Sequence, residues 1–221
     1  MYEIDENYFS KIDSVDKAYF LGLLYADGNI YIKNSINLLS IELLLEDLKI
    51  IDLFKICLKT NRPLKFRKSK IDKNGFKIKE RCGLNIGNKK ICSDLVSLGC
   101  VPRKTKILKF PQFIKNNTFL LKAFIRGYFD GDGCVSISKQ NKIKSSISST
   151  EDFVLNLNDI FTNSGLNPKI YKSKKISNFY EIYFHGIERN IKMYNYIYDD
   201  SIYFLNRKKE KFENFLFRKV G

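Results

Sequence analysis

Two stretches of the chain decide the fold, one near the start and one past the middle. They read Leu21-Gly22-Leu23-Leu24-Tyr25-Ala26-Asp27-Gly28 and Arg126-Gly127-Tyr128-Phe129-Asp130-Gly131-Asp132-Gly133. Each is a largely apolar segment that finishes with Asp-Gly. Each is predicted to form the last part of a helix. Asp27 and Asp132 are 105 residues apart, as are Gly22 and Gly127. The constant offset predicts two related halves, each beginning with one of these helices.

The repeat continues beyond the two motifs. The pairs Glu46-Asp47 and Glu151-Asp152 keep the offset of 105 residues, and each is predicted to start a helix after a strand-like stretch. Short helices are expected at about 88–98 and 187–198, with a closing helix at about 205–217. The predicted fold class is therefore α+β, with two pseudo-symmetric αββαββα halves. The expected boundaries are 1–110 and 111–221.

Small residues in the motifs predict how the two helices pack. Gly22 and Ala26 are four residues apart, as are Gly127 and Gly131, so each pair lies on one helix face and allows another backbone to approach. Parallel packing of the two helices would bring the two aspartates together at their ends. The glycines that follow them are predicted to adopt the left-handed conformation common after a helix.

Two neighbouring carboxylates suggest a specific chemistry. They repel each other unless they share a proton or a cation. Carboxylate oxygens suit Mg²⁺, and such ions stabilise the attacking and leaving oxygens in phosphodiester hydrolysis. The alternative is that each Asp-Gly is only a solvated turn at the end of a core helix. The second copy at the same offset argues against that alternative.

The composition favours a polyanionic partner. Lys plus Arg number 39 against 24 for Asp plus Glu, so the net charge is +15, and it is spread along the chain. A folded surface for nucleic acid is one explanation, and a Lys-rich codon bias is the other. The single histidine, His185, argues against His-rich zinc sites and Ser-His-Asp hydrolases. Five cysteines without a CxxC pair argue against a disulfide framework or a structural zinc site.

No stretch of the sequence approaches the length of a membrane helix, so no membrane partner is expected. The start of the chain, Met1 to Glu6, is acidic and differs from a secretory signal. A soluble, intracellular protein is therefore expected, located wherever its target is.

The paired motifs resemble the signature of LAGLIDADG homing endonucleases of the two-motif, monomeric type. Two further segments are similar to that family: Leu98 to Thr105, before Phe110-Pro111, and Tyr203 to Phe212. The resemblance implies two antiparallel sheets that form a saddle over duplex DNA, and cleavage of both strands across the minor groove with short 3′ overhangs. Tyr25 stands where the first motif usually has an earlier aspartate, and Arg126 replaces a small residue.

The same resemblance implies where the metal binds. The last aspartate of each motif would bind the catalytic divalent metal, which points to Asp27 and Asp132, with Ala26 and Gly131 beside them. Mg²⁺ is the expected cofactor, and Mn²⁺ or Ca²⁺ could substitute for binding.

Two lysines are predicted to assist catalysis. Lys104 and Lys208 follow their motif aspartates by 77 and 76 residues, so the symmetry should place them equivalently. A lysine near the scissile phosphate could stabilise developing negative charge or help to activate water. The neighbouring basic residues, which compete for this role, are Arg103, Lys106, Arg207 and Lys209.

Polar residues of the predicted strands are the expected DNA-reading surface. Arginine and glutamine can form paired hydrogen bonds with base edges, whereas lysines mostly contact phosphates. The candidates in the first half are Tyr31, Lys33, Lys65, Arg67, Lys70, Lys77, Lys79 and Arg81. Those in the second half are Ser136, Ser138, Gln140, Lys142, Lys144, Tyr171, Lys172 and Lys174.

The sequence thus predicts a site-specific endonuclease for double-stranded DNA, which is expected to be intron-encoded or free-standing. Its target would be a long, pseudo-palindromic or asymmetric site, bound by a single chain. The alternatives on the same fold are an RNA-splicing maturase, whose partner would be RNA, and a DNA-binding regulator that no longer cuts.

Overall fold

The computed structural model describes residues 2–174, 176–199 and 201–217. The elements of the first half are α1 (Val15–Asp27), β1 (Gly28–Lys33), β2 (Ile36–Leu44), α2 (Leu48–Cys57), β3 (Lys65–Arg67), β4 (Lys70–Ile71), β5 (Lys77–Ile78), β6 (Arg81–Gly87) and α3 (Lys89–Ser97). Those of the second half are α4 (Thr118–Asp132), β7 (Gly133–Ile137), β8 (Ile143–Thr150), α5 (Glu151–Asn163), β9 (Lys169–Lys172), β10 (Phe179–His185), α6 (Ile187–Tyr198) and α7 (Asn206–Leu216).

Each half contains a four-stranded antiparallel sheet. The strand orders are β1-β2-β6-β3 and β7-β8-β10-β9, so equivalent strands occupy equivalent positions in the two sheets. Helices cover one face of each sheet, and the other face is open. The predicted fold class, with two pseudo-symmetric halves and two antiparallel sheets, is confirmed.

The first half contains an additional small hairpin that the sequence analysis did not predict. Strands β4 and β5 pair with each other and join neither large sheet. The Asp72 carboxylate accepts hydrogen bonds from the backbone N–H groups of Asn74 and Phe76, each at 2.8 Å, and closes the turn. A turn signal was present, since Asp72-Lys73-Asn74-Gly75 is a typical turn composition. The two halves therefore differ in outline at this edge.

The motif helices α1 and α4 lie at the centre of the molecule. Residues 18–25 of α1 are all buried, as expected for a helix that is apolar around its whole circumference. Gly22 faces Phe124 and Tyr128, and Gly127 faces Tyr19 and Leu23. Gly131, one turn after Gly127, faces Ala26 and Asp27 instead of Tyr19 and Leu23, so the contacts advance along both helices together and the helices are parallel. Their backbones approach so closely that a Cβ on either glycine would overlap a facing carbonyl oxygen.

The conformation predicted for the glycines after the motif aspartates is wrong. Gly28 has φ −72° and Gly133 has φ −70°, so both are extended and each begins a strand directly. A Cβ at Gly28 would lie 2.5 Å from the Leu24 carbonyl oxygen, and one at Gly133 would strike Phe129. These positions need glycine because the strand turns back tightly against the last turn of its own helix.

The halves are joined by residues 98–117, which contain 3-10 turns at Lys104–Lys106 and Gln112–Asn116. The proposed boundary between residues 110 and 111 falls within this connection and stays a prediction. Helix α7 crosses back to the first half, where Arg207 Nε donates to both carboxylate oxygens of Asp47, at 2.8 and 3.1 Å. Among the described residues, no helix is long and apolar enough to cross a membrane.

Candidate functional site

The parallel packing brings the two motif aspartates together. Asp27 is the last residue of α1 and Asp132 the last of α4, and both side chains are exposed. Asp27 lies against the other helix, since a Cβ on Gly131 would come within 3.0 Å of Asp27 Oδ2 and would overlap Ala26. The four residues predicted to form the metal site therefore lie together at one end of the helix pair.

Both carboxylates are destabilised in their charged form. Desolvation by the surrounding protein, and secondarily the charge of Asp132, raise the pKa of Asp27 to about 6. Desolvation also raises the pKa of Asp132, while Lys104, Lys208 and the hydroxyl of Tyr128 oppose the rise. Positive charge close to such a pair stabilises the ionised form of both carboxylates.

Lys104 and Lys208 occupy equivalent places, as the symmetry predicted. Lys104 Nζ donates to the carbonyl oxygen of Gly28, and Lys208 Nζ donates to that of Gly133 at 2.5 Å. These two carbonyls belong to the residues that directly follow the motif aspartates. Each lysine thus lies at the end of its own motif helix.

The two lysines differ in how their N–H groups are used. Lys208 Nζ also donates to the carbonyl oxygens of Phe129 (2.8 Å) and Gly131 (2.9 Å), so it bonds three carbonyls. It is 7% exposed, and desolvation lowers its pKa to about 8. Lys104 is half-buried and bonds one carbonyl. Lys208 can therefore act on a ligand through its charge, whereas Lys104 still has free donors.

Both lysines lie close enough to stabilise both carboxylates. The charges of Lys208 and Lys104 each oppose the raised pKa of Asp27 and that of Asp132. Asp132 and Lys104 also line one cleft, together with Ala26. Asp27 opens into a separate cleft on the first sheet, beside Lys65 and Arg67. The motif ends therefore open into two clefts. The cleft at Asp132 is lined by residues of both halves, and the cleft at Asp27 by residues of the first half.

The donor set fits a hard divalent cation. Asp27 and Asp132 supply carboxylate oxygens, and Mg²⁺ in proteins is often held by one or two carboxylates, with the remaining positions left to water and substrate phosphate. No cluster of three or more His, Cys, Asp or Glu residues occurs in the described ranges. The Gly131 carbonyl already accepts a bond from Lys208, so Ala26 has the less encumbered carbonyl of the two.

On the first sheet, the open face presents polar side chains to solvent beside Asp27. The strand register places Tyr31, Lys33, Lys65, Arg67 and Arg81 on this face, as the sequence analysis predicted. Arg67 Nη2 forms a 2.6 Å ion pair with Glu42, which also lies 3.6 Å from Arg81. Lys70, Lys77 and Lys79 lie on or next to the added hairpin instead of the large sheet.

On the second sheet, Ser136, Lys144 and Tyr171 lie on the open face. Ser138, Gln140 and Lys142 lie exposed at the β7–β8 turn, and Lys174 is exposed after β9. The placement expected for Lys172 is wrong. It pairs with Tyr180 and is two residues from Ile170, so the pleat directs it to the helix-covered side at the sheet edge.

Comparisons with known proteins support the same architecture. Residues 120–215 match the family model of a LAGLIDADG-like domain. The homing endonuclease I-WcaI bound to its DNA recognition sequence is 16% identical, with a TM-score of 0.64, over 93% of this chain and 90% of that one. I-DmoI in complex with DNA and Mn is 18% identical, with a TM-score of 0.59, over 87% of this chain and all of that one. The chain has the LAGLIDADG fold.

A third homing endonuclease, I-LtrWI bound to target DNA, has the same LAGLIDADG fold at 10% identity, with a TM-score of 0.57 over 93% of this chain and 89% of that one. No curated protein matches the chain. The family resemblance inferred from the paired motifs is therefore confirmed, and at such low identities it is the fold that is shared.

The LAGLIDADG fold also reveals site residues that the sequence analysis did not select. Tyr128 is buried, bonds Ser149 at 2.8 Å and lies beside Asp132. The strand register adds further residues to the open faces: Asn29, Ser40, Glu42 and Asn85 on the first sheet, and Glu181, Tyr183 and His185 on the second. Strict alternation along each strand was the signal that could have found them. No such signal marked Tyr128.

The raised pKa of Asp27 predicts how the stability of this LAGLIDADG fold depends on pH. Between about pH 4 and 6 the folded protein keeps a proton on Asp27 that the unfolded chain has lost, so stability falls as pH rises through this window. In a chelating buffer we expect Asp27→Asn to be more stable than the native protein at pH near 7.5. Because Asp27 is exposed, the gain is at most about 1 kcal/mol, or about 2–4 °C in Tm.

The measurement is thermal unfolding of both proteins at about pH 5 and pH 7.5. The difference in Tm between variant and native protein should shrink at the lower pH, where Asp27 is largely protonated. Asp130 and Asp47, whose pKa values are also raised, are present in both proteins and so cancel to first order. A difference in Tm that is constant with pH would contradict the assignment.

Proposed function

We propose that this chain is a site-specific endonuclease that cuts both strands of double-stranded DNA as a single chain. The observation that carries the proposal is the placement of Asp27 and Asp132 side by side at the end of the central helix pair, between two open basic sheet faces. The net charge of +15 fits a polyanionic ligand. The three similar homing endonucleases described above are themselves bound to DNA.

We propose Mg²⁺ as the cofactor, held by Asp27 and Asp132, with the Ala26 carbonyl as a further ligand. A bound divalent cation would polarise the scissile phosphate and lower the pKa of a bound water. Asp27 and Asp132 would hold the cation at the motif ends. Asp132 would serve one strand, with Lys104 in the same cleft, and Asp27 would serve the other.

The two lysines have different parts in this proposal. Lys104, with free N–H donors, can bond the phosphate on which negative charge develops. Lys208 keeps its three bonds to carbonyls and contributes only its positive charge near Asp27. Its charge also offsets the partial negative end of helix α4.

The open sheet faces would hold the duplex on either side of the carboxylates. A paired strand ribbon fits the major groove, where arginine and glutamine read base edges. Among the described residues only the first half carries such a hairpin, β4–β5, so the two half-sites should differ and the preferred target should be asymmetric. Such a protein works inside the cell, where its target DNA is, and could be encoded within an intron.

Binding should depend strongly on salt. If several lysines of the open faces contact phosphates, counterions are released and log K falls steeply with log salt. We expect Lys142→Ala, at the exposed β7–β8 turn, to reduce that slope by about one unit and to weaken all sequences alike. Arg67→Ala should instead cost about 1–3 kcal/mol and relax the preference at one base position.

The control for this measurement is Lys49→Ala, which removes an exposed lysine from helix α2 on the opposite side of the first sheet. Its salt slope should equal that of the native protein. An affinity that hardly changes between low and physiological salt would refute the DNA-binding surface. Codon bias would then explain the net positive charge.

Cleavage of a randomised DNA library with Mg²⁺, followed by sequencing of the ends, tests the function itself. Enrichment of one long asymmetric site with staggered cuts would support the proposal. Binding of DNA without cutting would favour a regulator, and binding of structured RNA alone would favour a maturase.

A further inference from the structure

Both motif helices carry a buried polar side chain two residues before the carboxylate. These residues are Tyr25 in α1 and Asp130 in α4, which are related by the offset of 105 residues. They are 1% and 0% exposed, so neither can touch a ligand. Their chemistry differs, since Tyr25 carries a phenol and Asp130 a carboxyl group.

In the second half, Asp130 is an acceptor for three hydrogen bonds. The hydroxyls of Tyr198 and Tyr19 donate to it at 2.7 and 2.8 Å, and the backbone N–H of Leu205 donates at 2.8 Å. Leu205 directly precedes α7, three residues before Lys208. Asp130 thus fixes the start of the helix that carries Lys208.

In the first half, Tyr25 is a donor. Its hydroxyl donates to the Leu98 carbonyl at 2.5 Å, at the end of α3 and six residues before Lys104. The next residue, Gly99, has φ +98°, and a Cβ there would overlap the Tyr25 hydroxyl. The segment that leads to Lys104 is therefore shaped around this hydroxyl.

Each half closes the same loop of contacts. The segment held by Tyr25 continues to Lys104, which bonds Gly28, and the segment held by Asp130 continues to Lys208, which bonds Gly133. In both halves the lysine bonds the residue that follows the motif aspartate. The lysine position therefore depends on two anchors, one within the helix and one just beyond it.

We propose that Tyr25 and Asp130 are positioning residues, each of which holds the lysine of its own half in place. The proposal rests on the proposed function. Lys104 bonds the residue after Asp27 and Lys208 bonds the residue after Asp132, so the two anchors act at different motif ends. Weakening one anchor should therefore slow the cut in one strand of the duplex and spare the other.

The variants are Tyr25→Phe and Asp130→Asn. The first removes one hydroxyl and keeps the ring that packs edge-to-face on Phe124 at 5.1 Å. The second keeps the shape of the side chain but replaces one carboxylate oxygen with an NH₂ group, which cannot accept a hydrogen bond. The matched control is Tyr8→Phe, which removes a buried hydroxyl bonded to Asp16 at 2.7 Å, away from the motif ends.

The first measurement follows cleavage of a supercoiled plasmid and of the two labelled strands. We expect Tyr25→Phe and Asp130→Asn each to slow one strand about tenfold, with opposite strands affected, so that nicked DNA accumulates. Tyr8→Phe should cut both strands at the native ratio. Loss of folded protein cannot mimic this result, because an unfolded molecule cuts neither strand. Equal slowing of both strands would overturn the proposal.

The second measurement does not need cleavage. Reductive methylation followed by mass spectrometry reports how accessible each lysine amine is. Tyr25→Phe should raise the reactivity of Lys104 and leave Lys208 unchanged, and Asp130→Asn should do the opposite. Unchanged reactivity of both lysines would refute the positioning role. If the native protein cut no DNA while these reactivities changed as expected, the proposed function would fail and the positioning role would stand.

Discussion

Replacing either motif aspartate should abolish double-strand cleavage while the protein still binds DNA. We expect Asp27→Asn and Asp132→Asn each to lower the rate of double-strand cutting by a factor of about 10³ or more, because each removes a charged ligand of the proposed cation. The open sheet faces remain as they are, so affinity for the target should stay within about threefold. Cleavage and binding of a labelled target in Mg²⁺ measure both quantities.

The control for this prediction is Asp159→Asn, which makes the same chemical change at an exposed position on α5. It should cut at the native rate. Because each aspartate is assigned to a different strand, nicked product should be looked for in both variants. Near-normal double-strand cutting by either motif variant, with Mg²⁺ supplied, would remove the carboxylates from the proposed mechanism.

Adding a single methyl group at the centre of the helix pair should strongly destabilise the fold. In Gly22→Ala the new Cβ would overlap the carbonyl oxygen of Phe124, and in Gly127→Ala that of Tyr19. Backbone atoms of two buried helices cannot move aside singly, so the helices must separate along their length. We expect each variant to lose about 3 kcal/mol or more of unfolding free energy, at the upper end of overpacking effects.

Urea unfolding measures this loss, with Gly87→Ala as the matched control. At Gly87 the nearest atom to a new Cβ is 3.9 Å away, and its φ is not in the left-handed region. The control should therefore be within about 0.5 kcal/mol of the native protein. An equally small loss of unfolding free energy for Gly22→Ala or Gly127→Ala would mean that the helices are not in direct backbone contact.

Much of the fold could be predicted from local patterns in the sequence. The repeat at 105 residues predicted two halves, and helical spacing predicted α3, α6 and α7 to within one residue at each end. The small residues Gly22 and Gly127 predicted the parallel helix pair. The added hairpin was missed because its strands are two residues long, too short to show alternation.

Parts of the site could not be predicted in this way. Lys208 and Lys104 look alike in the sequence, yet Lys208 bonds three carbonyls and Lys104 bonds one. Lys172 looks like a surface strand lysine, yet the pleat turns it to the helix side. Gly28 follows a helix, yet it is extended because the strand begins at once. In each case the deciding partner is distant in sequence or belongs to the next element.

The sequence by itself determined that there are two halves, that their motif helices pack in parallel, and that two carboxylates meet at one end. Repetition, helical period and side-chain size are local properties, and they suffice for those conclusions. Only the tertiary structure decided which carbonyls Lys104 and Lys208 bond, and which groups Tyr25 and Asp130 bond. These hydrogen bonds join residues about 70 to 110 positions apart. They depend on how each half folds back onto its motif helix and on how the two motif helices pack, which no local pattern encodes.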